Sequence, residues 1–172
     1  LSDANIDYTT DQLISAAFGS SGQRCMALSV AVVSAEIKNE FLKSLKEKVL
    51  KLKFGSEDLN SNSFGPLVTM DHLKSVENNI KIAEEEGAEI IVDGRDLFNR
   101  KNSKSGFFLG PTVIDKVNSK MQSYKNEIFG PVLQIMEMTD LSDGIEIINK
   151  NKFGNGCCIF TSDGHNARVF AE

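Results

Sequence analysis

Segments with a helical pattern of apolar residues alternate with short apolar, β-branched segments along most of the chain. Apolar residues recur every three to four positions in the first kind of segment and run almost consecutively in the second. The helical segments are 6–18, 36–52, 70–86, 141–149 and a last one that starts near residue 164, and the strand-like segments are 28–33, 88–92, 132–138 and 157–161. Because strands that alternate with helices form parallel sheets, the chain is predicted to have an α/β fold, with a doubly wound, mostly parallel sheet flanked by helices.

Length and charge narrow the classes of protein that fit this pattern. The chain has 172 residues, which suits one domain with a sizeable core. Its net charge is -5 and it has no basic stripe, so a nucleic-acid partner is not expected. No apolar run approaches the roughly 20 residues of a membrane helix, so no membrane partner is expected either. The chain opens on Leu1-Ser2-Asp3 without Met or a signal peptide, and we expect it to be a piece of a longer polypeptide.

The three cysteines, Cys25, Cys157 and Cys158, form neither a CxxC pair nor an even set. This count argues against a disulfide framework and against a zinc site, and it fits a reducing compartment. Cys157 and Cys158 are adjacent in a strand-like segment. Because side chains alternate across a strand, one is predicted to pack in the core and the other to face the opposite side, and neither is given a catalytic role.

Cys25 lies in a different setting, the small and polar sequence FGSSGQRCMA at residues 18–27. This sequence follows a helical pattern and precedes a strand pattern, so the thiol is predicted to lie on a loop at the edge of the sheet. Arg24 beside it favours the thiolate, which is the nucleophilic form of cysteine. Gly19 and Gly22 allow a substrate to approach the backbone closely. An ordinary cysteine in a loop would have the same sequence features, so a second motif is needed to distinguish it from a catalytic cysteine.

The second motif is Glu127-Ile128-Phe129-Gly130-Pro131, about a hundred residues further along. In an extended segment the side chains of Glu127 and Phe129 point the same way. A carboxylate in that position can accept hydrogen bonds from ribose hydroxyls, and an aromatic ring can pack against a flat ring.

The two motifs together resemble the aldehyde dehydrogenase superfamily, and most closely its acylating, coenzyme A-dependent branch, the methylmalonate-semialdehyde dehydrogenases. The resemblance covers essentially the whole chain, and GQRCMA at residues 22–27 is highly specific for that branch. It extends to SDAN at 2–5, FGPL at 64–67, GPT at 110–112 and GNG at 154–156. Two departures are small: Ser20-Ser21 stands where the family commonly has Ala-Ala, and Cys157-Cys158 where small or polar residues are usual.

The resemblance implies a reaction and a role for four residues. Cys25 would be the catalytic nucleophile, with its own backbone N–H as one oxyanion donor, and would carry the acyl group as a thioester. Glu127 and Phe129 would bind the cofactor NAD, and Arg24 would bind the carboxylate of a small-molecule semialdehyde or, alternatively, form a salt bridge within the fold. Coenzyme A would be the co-substrate that accepts the acyl group, and the substrate would lose its carboxyl group as carbon dioxide or bicarbonate. No metal is implied.

The same resemblance implies that residues 1–172 are the catalytic domain alone, without the NAD-binding and oligomerisation segments. The full-length enzyme would be a homo-oligomer, a dimer or a tetramer, in the mitochondrial matrix of a eukaryote or otherwise in the cytoplasm. Two alternatives stay open, a hydrolytic aldehyde dehydrogenase that uses water for deacylation, and a noncatalytic isolated domain. A thiol hydrolase is disfavoured because the two histidines, His72 and His165, are both expected to be solvated rather than to serve as a base for Cys25.

Overall fold

The centre of the molecule is a four-stranded sheet, which a computed structural model describes together with its helices for residues 1–54, 63–96 and 106–172. The strands are β1 (Val30–Ser34), β2 (Glu89–Val92), β3 (Thr112–Asp115) and β4 (Val132–Met138), in the spatial order β1-β4-β3-β2. β4 pairs in parallel with both β1 and β3, whereas β2 pairs antiparallel with β3. The sheet is therefore mostly parallel, as predicted, with one antiparallel strand at its edge.

Six α-helices accompany the sheet in the described residues. They are α1 (Ile6–Phe18), α2 (Lys38–Val49), α3 (Met70–Glu85), α4 (Gln122–Lys125), α5 (Leu141–Asn149) and α6 (Gly164–Ala171), with a 3₁₀ turn at Gly19–Gly22 directly after α1. Side-chain oxygens of the residues that precede four of these helices accept hydrogen bonds from first-turn N–H groups, and these residues are Asn5, Thr69, Asp140 and Asp163. Such caps fix where a helix begins because they satisfy N–H groups that have no partner inside the helix.

The strand side chains alternate between two hydrophobic cores, one on each face of the sheet. Val113, Leu133 and Ile135 belong to the core that contains α1 and α2. Ile114 and Val132 belong to the core that contains α3 and α4. Because successive residues of a strand point to opposite faces, two consecutive apolar positions serve both cores, and helices cover both faces. The predicted doubly wound arrangement is confirmed.

The prediction of a strand at residues 157–161 was wrong. The segment makes no strand pairing among the described residues, and Cys157 and Cys158 are both exposed, so neither packs in a core. It is held instead by polar contacts with the chain's first residues: the Leu1 amino group donates to the carbonyl of Phe160, and Thr161 Oγ1 donates to the Asp3 carboxylate. A β-branched run becomes a strand only where a neighbouring strand satisfies its backbone.

Smaller differences concern the ends of elements and two elements that the pattern did not indicate. β1 begins at Val30 rather than at residue 28, and α2 is shorter than the predicted 36–52. β3 and α4 are four residues each, too short for a periodic signal. The polar loop predicted for residues 96–105 lies, apart from Asp96, outside the described residues.

Candidate active site

The loop that carries Cys25 owes its shape to three consecutive residues in the left-handed backbone region. Ser20, Ser21 and Gly22 have φ values of 53°, 57° and 68°. They reverse the chain after α1, and a second turn follows, closed by a hydrogen bond of 3.0 Å from the N–H of Ala27 to the carbonyl of Arg24. Cys25 lies in this second turn and is exposed, as the sequence predicted.

The loop is anchored to residues 65–68 by two side chains. Ser21 Oγ donates a hydrogen bond to the carbonyl of Gly65. The Gln23 side-chain amide donates to the carbonyl of Pro66 at 3.3 Å and accepts from the N–H of Val68 at 3.1 Å. The Ser21 bond needs a hydroxyl group, so an alanine at this position could not make it. The left-handed loop is thus held from outside as well as by its own turns.

The glutamate–phenylalanine motif packs directly against the same loop. A Cβ atom on Gly22 would overlap the carbonyl oxygen of Gly130, so the two backbones are in contact at this point. Glu127 and Phe129 are both exposed, and Ile128 between them is buried. The backbone is not simply extended, because Phe129 has a φ of 54°, in the left-handed region.

His72 is one of the residues that hold this motif in place, a role that sequence reasoning missed. Its Nε2 atom donates a hydrogen bond of 2.8 Å to the carbonyl of Phe129. The bond supports a non-glycine residue in a conformation that ordinarily costs about 1–2 kcal/mol. His72 is half-buried, so this bond gives a partly solvated side chain a structural contact that the sequence did not predict. The first turn of α3 offered no signal for this contact, because it joins residues 57 positions apart.

Arg24 makes contacts within the fold, but with backbone carbonyls rather than with a carboxylate. Its Nη2 atom donates to the carbonyls of Ser15 and Ala16, both at 3.0 Å. Both carbonyls lie in the last turn of α1 and also accept from backbone N–H groups, those of Gly19 and Leu28, so the guanidinium takes up their remaining acceptor capacity. Both protons of Nη2 are used, so Nη1 and Nε are the nitrogens that could donate to a substrate.

One groove brings the four predicted site residues together. Its volume is about 730 Å³, and its lining includes Cys25, Arg24, Glu127 and Phe129. Asn155, which lies after α5, also lines it and donates a hydrogen bond to the carbonyl of Cys25. The arrangement offers an exposed thiol, an exposed carboxylate and an exposed aromatic ring in one concave surface, which suits a covalent reaction on a small molecule bound beside a flat, hydroxyl-bearing cofactor.

The other two thiols line the same groove and differ from Cys25 in their setting. Partial desolvation, and then the neighbouring Cys157, raise the pKa of the Cys158 thiol above its ordinary value. A raised pKa lowers the thiolate fraction at neutral pH, which makes Cys158 a weaker nucleophile than an ordinary cysteine. Within the described ranges, no cluster of three or more His, Cys, Asp or Glu side chains could hold a metal ion, and no helix has the length and apolar character needed to cross a membrane.

This chain belongs to the aldehyde dehydrogenase family, whose family model matches residues 1–172. It is similar to malonate-semialdehyde dehydrogenase 2 of Oceanobacillus iheyensis, with 40% identity over 172 residues, 100% of this chain and 35% of that protein. It is also similar to the human mitochondrial methylmalonate-semialdehyde/malonate-semialdehyde dehydrogenase [acylating], with 44% identity over 170 residues, 99% of this chain and 31% of that protein. The chain thus spans about a third of the length of these relatives.

The fold of this chain matches those of solved structures. The crystal structure of methylmalonate-semialdehyde dehydrogenase from Oceanimonas doudoroffii matches with a TM-score of 0.92 and 44% identity, over 99% of this chain and 35% of that one. The betaine aldehyde dehydrogenase of Staphylococcus aureus, solved in complex with NAD⁺, matches with a TM-score of 0.92 and 30% identity, over 98% of this chain and 33% of that one. The resemblance drawn from the two motifs is confirmed.

Proposed function

We propose that the full-length protein is an NAD-dependent, acylating dehydrogenase of malonate or methylmalonate semialdehyde, and that this chain supplies its nucleophile. The observation that carries the proposal is the common groove in which the exposed thiol of Cys25 lies with Glu127 and Phe129. The names of the relatives at 40–44% identity support the choice of substrate and of the acylating branch.

The covalent steps take place on Cys25. The thiolate sulfur adds to the aldehyde carbon, and the electron pair of the carbonyl moves to oxygen, giving a thiohemiacetal oxyanion. The backbone N–H of Cys25 is one donor to that oxyanion. When the carbon gives up a hydride, the C=O bond forms again and a thioester remains on Sγ. After acylation the substrate carboxyl group is lost as carbon dioxide or bicarbonate, and the α-carbon that keeps the electron pair takes up a proton from water. Attack by the coenzyme A thiolate transfers the acyl group and releases the Cys25 thiolate.

Glu127 and Phe129 fit a role in binding NAD, which when bound supplies the ring that accepts the hydride. The carboxylate of Glu127 is exposed and free to accept hydrogen bonds from ribose hydroxyls. Phe129 is 38% exposed, so its ring can pack against a flat ring while His72 holds its backbone. Both residues lie on a segment fixed against the Cys25 loop, so they would orient the cofactor relative to the thiol.

Arg24 has only part of its guanidinium group available to bind the substrate carboxylate. Because Nη2 already donates to two carbonyls of α1, a bidentate contact through Nη1 and Nη2 would require these bonds to break. We therefore assign the substrate contact to Nη1, with Nη2 holding the guanidinium in place. An arginine fixed in this way loses less side-chain entropy on binding than a free one.

The remainder of the enzyme would lie outside this chain. Since the chain spans about a third of its relatives, we propose that residues 1–172 form the catalytic unit, and that the main NAD-binding surface and an oligomerisation segment are elsewhere in the polypeptide. The protein would act as a dimer or tetramer. It would be mitochondrial in a eukaryote, as the human relative's name states for that protein, and cytoplasmic in a bacterium.

The test compares Cys25→Ser with the control Cys157→Ser in the full-length protein. NADH formation is followed with malonate or methylmalonate semialdehyde, NAD and coenzyme A, and limiting iodoacetamide is mapped by mass spectrometry. We expect Cys25→Ser to lose turnover by more than about 10⁴-fold, as covalent enzymes do without their nucleophile. Cys157→Ser should stay active, and Cys25 should be alkylated before Cys157 and Cys158.

Two results would contradict the proposal. An active Cys25→Ser variant would remove Cys25 from the chemistry. NADH formation that needs no coenzyme A and yields the free acid would favour the hydrolytic branch, in which water releases the acyl group.

A further inference from the structure

The carbonyl group of Cys25 has a partner that the two motifs do not contain. Asn155 Nδ2 donates a hydrogen bond of 2.8 Å to this oxygen from 130 residues further along the chain. The acceptor is the backbone of the thiol-bearing residue itself, and the donor is a side chain that also lines the groove.

The turn that contains Cys25 explains why this oxygen matters. The turn runs from Arg24 to Ala27 and is closed by a bond between its first and last residues. Cys25 and Met26 are its two central residues, and the peptide that joins them takes no part in the closing bond. In four-residue turns this central peptide can face either way, and the two common turn types differ mainly in its orientation. The Asn155 amide fixes one of the two orientations, because only that one points the carbonyl at Nδ2.

The orientation of the Cys25–Met26 peptide affects the thiol in two ways. The Cys25 carbonyl oxygen is only a few bonds from Sγ, and its partial negative charge disfavours a neighbouring thiolate. A donor N–H on that oxygen offsets part of this charge. The bond also restrains the backbone torsion of Cys25, which limits the rotamers, and so the Cβ–Sγ directions, open to the side chain.

The segment that presents Asn155 passes close to the same turn. A Cβ atom on Gly156 would lie 2.8 Å from Cε of Met26, so the segment passes close to the side chain of the residue after Cys25. Ahead of it, the N–H of Phe153 donates to Asn151 Oδ1 at 2.8 Å and turns the chain out of α5. The path of this segment therefore places Asn155 beside the Cys25 turn.

We propose that Asn155 is a positioning residue for Cys25, which holds the carbonyl of the nucleophile's own peptide and thereby sets the direction and reactivity of the thiol. This inference rests on the proposed role of Cys25 as the nucleophile. It excludes Asp and apolar residues at position 155, since an ionised Asp has no N–H to donate and would oppose two oxygens.

The test uses Asn155→Ala, Asn155→Asp and the matched control Asn78→Asp, which makes the same change on the exposed face of α3. In the full-length protein we expect kcat and the rate of Cys25 alkylation by iodoacetamide to fall about 2- to 12-fold in Asn155→Ala, the size for one hydrogen bond, and further in Asn155→Asp. The KM for NAD should not change, because Asn155 acts on the thiol and not on the cofactor. Asn78→Asp should match the unaltered protein.

The outcomes separate this inference from the function on which it rests. An active Cys25→Ser variant would remove the proposed function itself. If Cys25→Ser is inactive while both Asn155 variants keep kcat and alkylation rate within twofold of the unaltered protein, Asn155 is not a positioning residue and the proposed function stands. Loss of folding in both Asn155 variants, seen by circular dichroism, would give Asn155 a purely structural role and would also overturn the inference.

Discussion

Replacing Gly22 with alanine tests whether the Cys25 loop is locked against the Glu127–Gly130 segment. Gly22 has a φ of 68°, and an added Cβ would overlap the carbonyl oxygen of Gly130 and lie 3.0 Å from that of Ala17. Both obstacles are backbone atoms, which cannot rotate away as a flexible side chain can. The methyl group must therefore push the two segments apart.

The size of the effect follows from two separate costs. Placing a residue with a Cβ in the left-handed region costs about 1–2 kcal/mol. Forcing a methyl group into a closed contact typically costs about 1–3 kcal/mol. We therefore expect Gly22→Ala to lower the free energy of unfolding by about 2–5 kcal/mol, equivalent to roughly 4–20 °C in Tm for a chain of this size.

Two control variants separate these costs. Gly87 has a φ of 95° with no described atom within 4 Å of an added Cβ, so Gly87→Ala measures the backbone cost alone. Gly154 has open space and a φ outside the left-handed region, so Gly154→Ala should change stability least. Urea unfolding of the three variants, followed by circular dichroism, gives the differences directly.

The comparison between Gly22→Ala and Gly87→Ala shows whether the contact with Gly130 adds to the cost of the left-handed backbone. If the two variants lose the same stability, the close contact between Gly22 and Gly130 adds no cost of its own. The hypothesis that the Cys25 loop is locked against the Glu127–Gly130 segment would then be wrong. If Gly22→Ala loses more, the full-length variant should also lose turnover, since the thiol and the glutamate–phenylalanine motif would no longer be held together.

Three further predictions concern the cofactor, acid stability and the chain by itself. Glu127→Gln in the full-length protein should slow hydride transfer or weaken NAD binding without loss of fold, and unchanged kcat and NAD affinity together would remove Glu127 from the site. A hydrogen bond from Thr161, followed by those from Ser162, holds the pKa of Asp3 at about 2, below its ordinary value. The stability that the ionised Asp3 carboxylate contributes should be complete above about pH 4 and be lost as the pH falls towards about 2. The free energies of unfolding of Asp3→Asn and the unaltered protein should therefore converge in acid. A difference between them that does not change with pH would contradict this. Expressed alone, the chain should fold cooperatively yet form no NADH from semialdehyde, NAD and coenzyme A, because positioning by the remaining domains supplies about 7–11 kcal/mol of the barrier reduction; robust NADH formation would show that those domains are dispensable.

The amino-acid sequence determined the parts of this protein that depend on local pattern. The periodicity of 6–18, 70–86 and 141–149 and the apolar run at 132–138 predicted four elements to within a residue, because residues near in sequence decide helix caps and strand faces. The motifs around Cys25 and Glu127 identified the family, because the chemistry of a site demands particular residue types in a fixed order.

Only the tertiary structure decided what depends on contacts between distant residues. The run 157–161 has strand composition but no strand beside it, so its backbone makes no ladder within the described residues and its two cysteines are exposed. His72 and Asn155 hold the backbones of Phe129 and Cys25 across 57 and 130 residues. Asn155 belongs to the GNG motif at 154–156, but neither this motif nor the sequence around His72 indicates the partner, since a hydrogen bond to a carbonyl depends on where the partner's backbone lies and not on the type of residue that presents it.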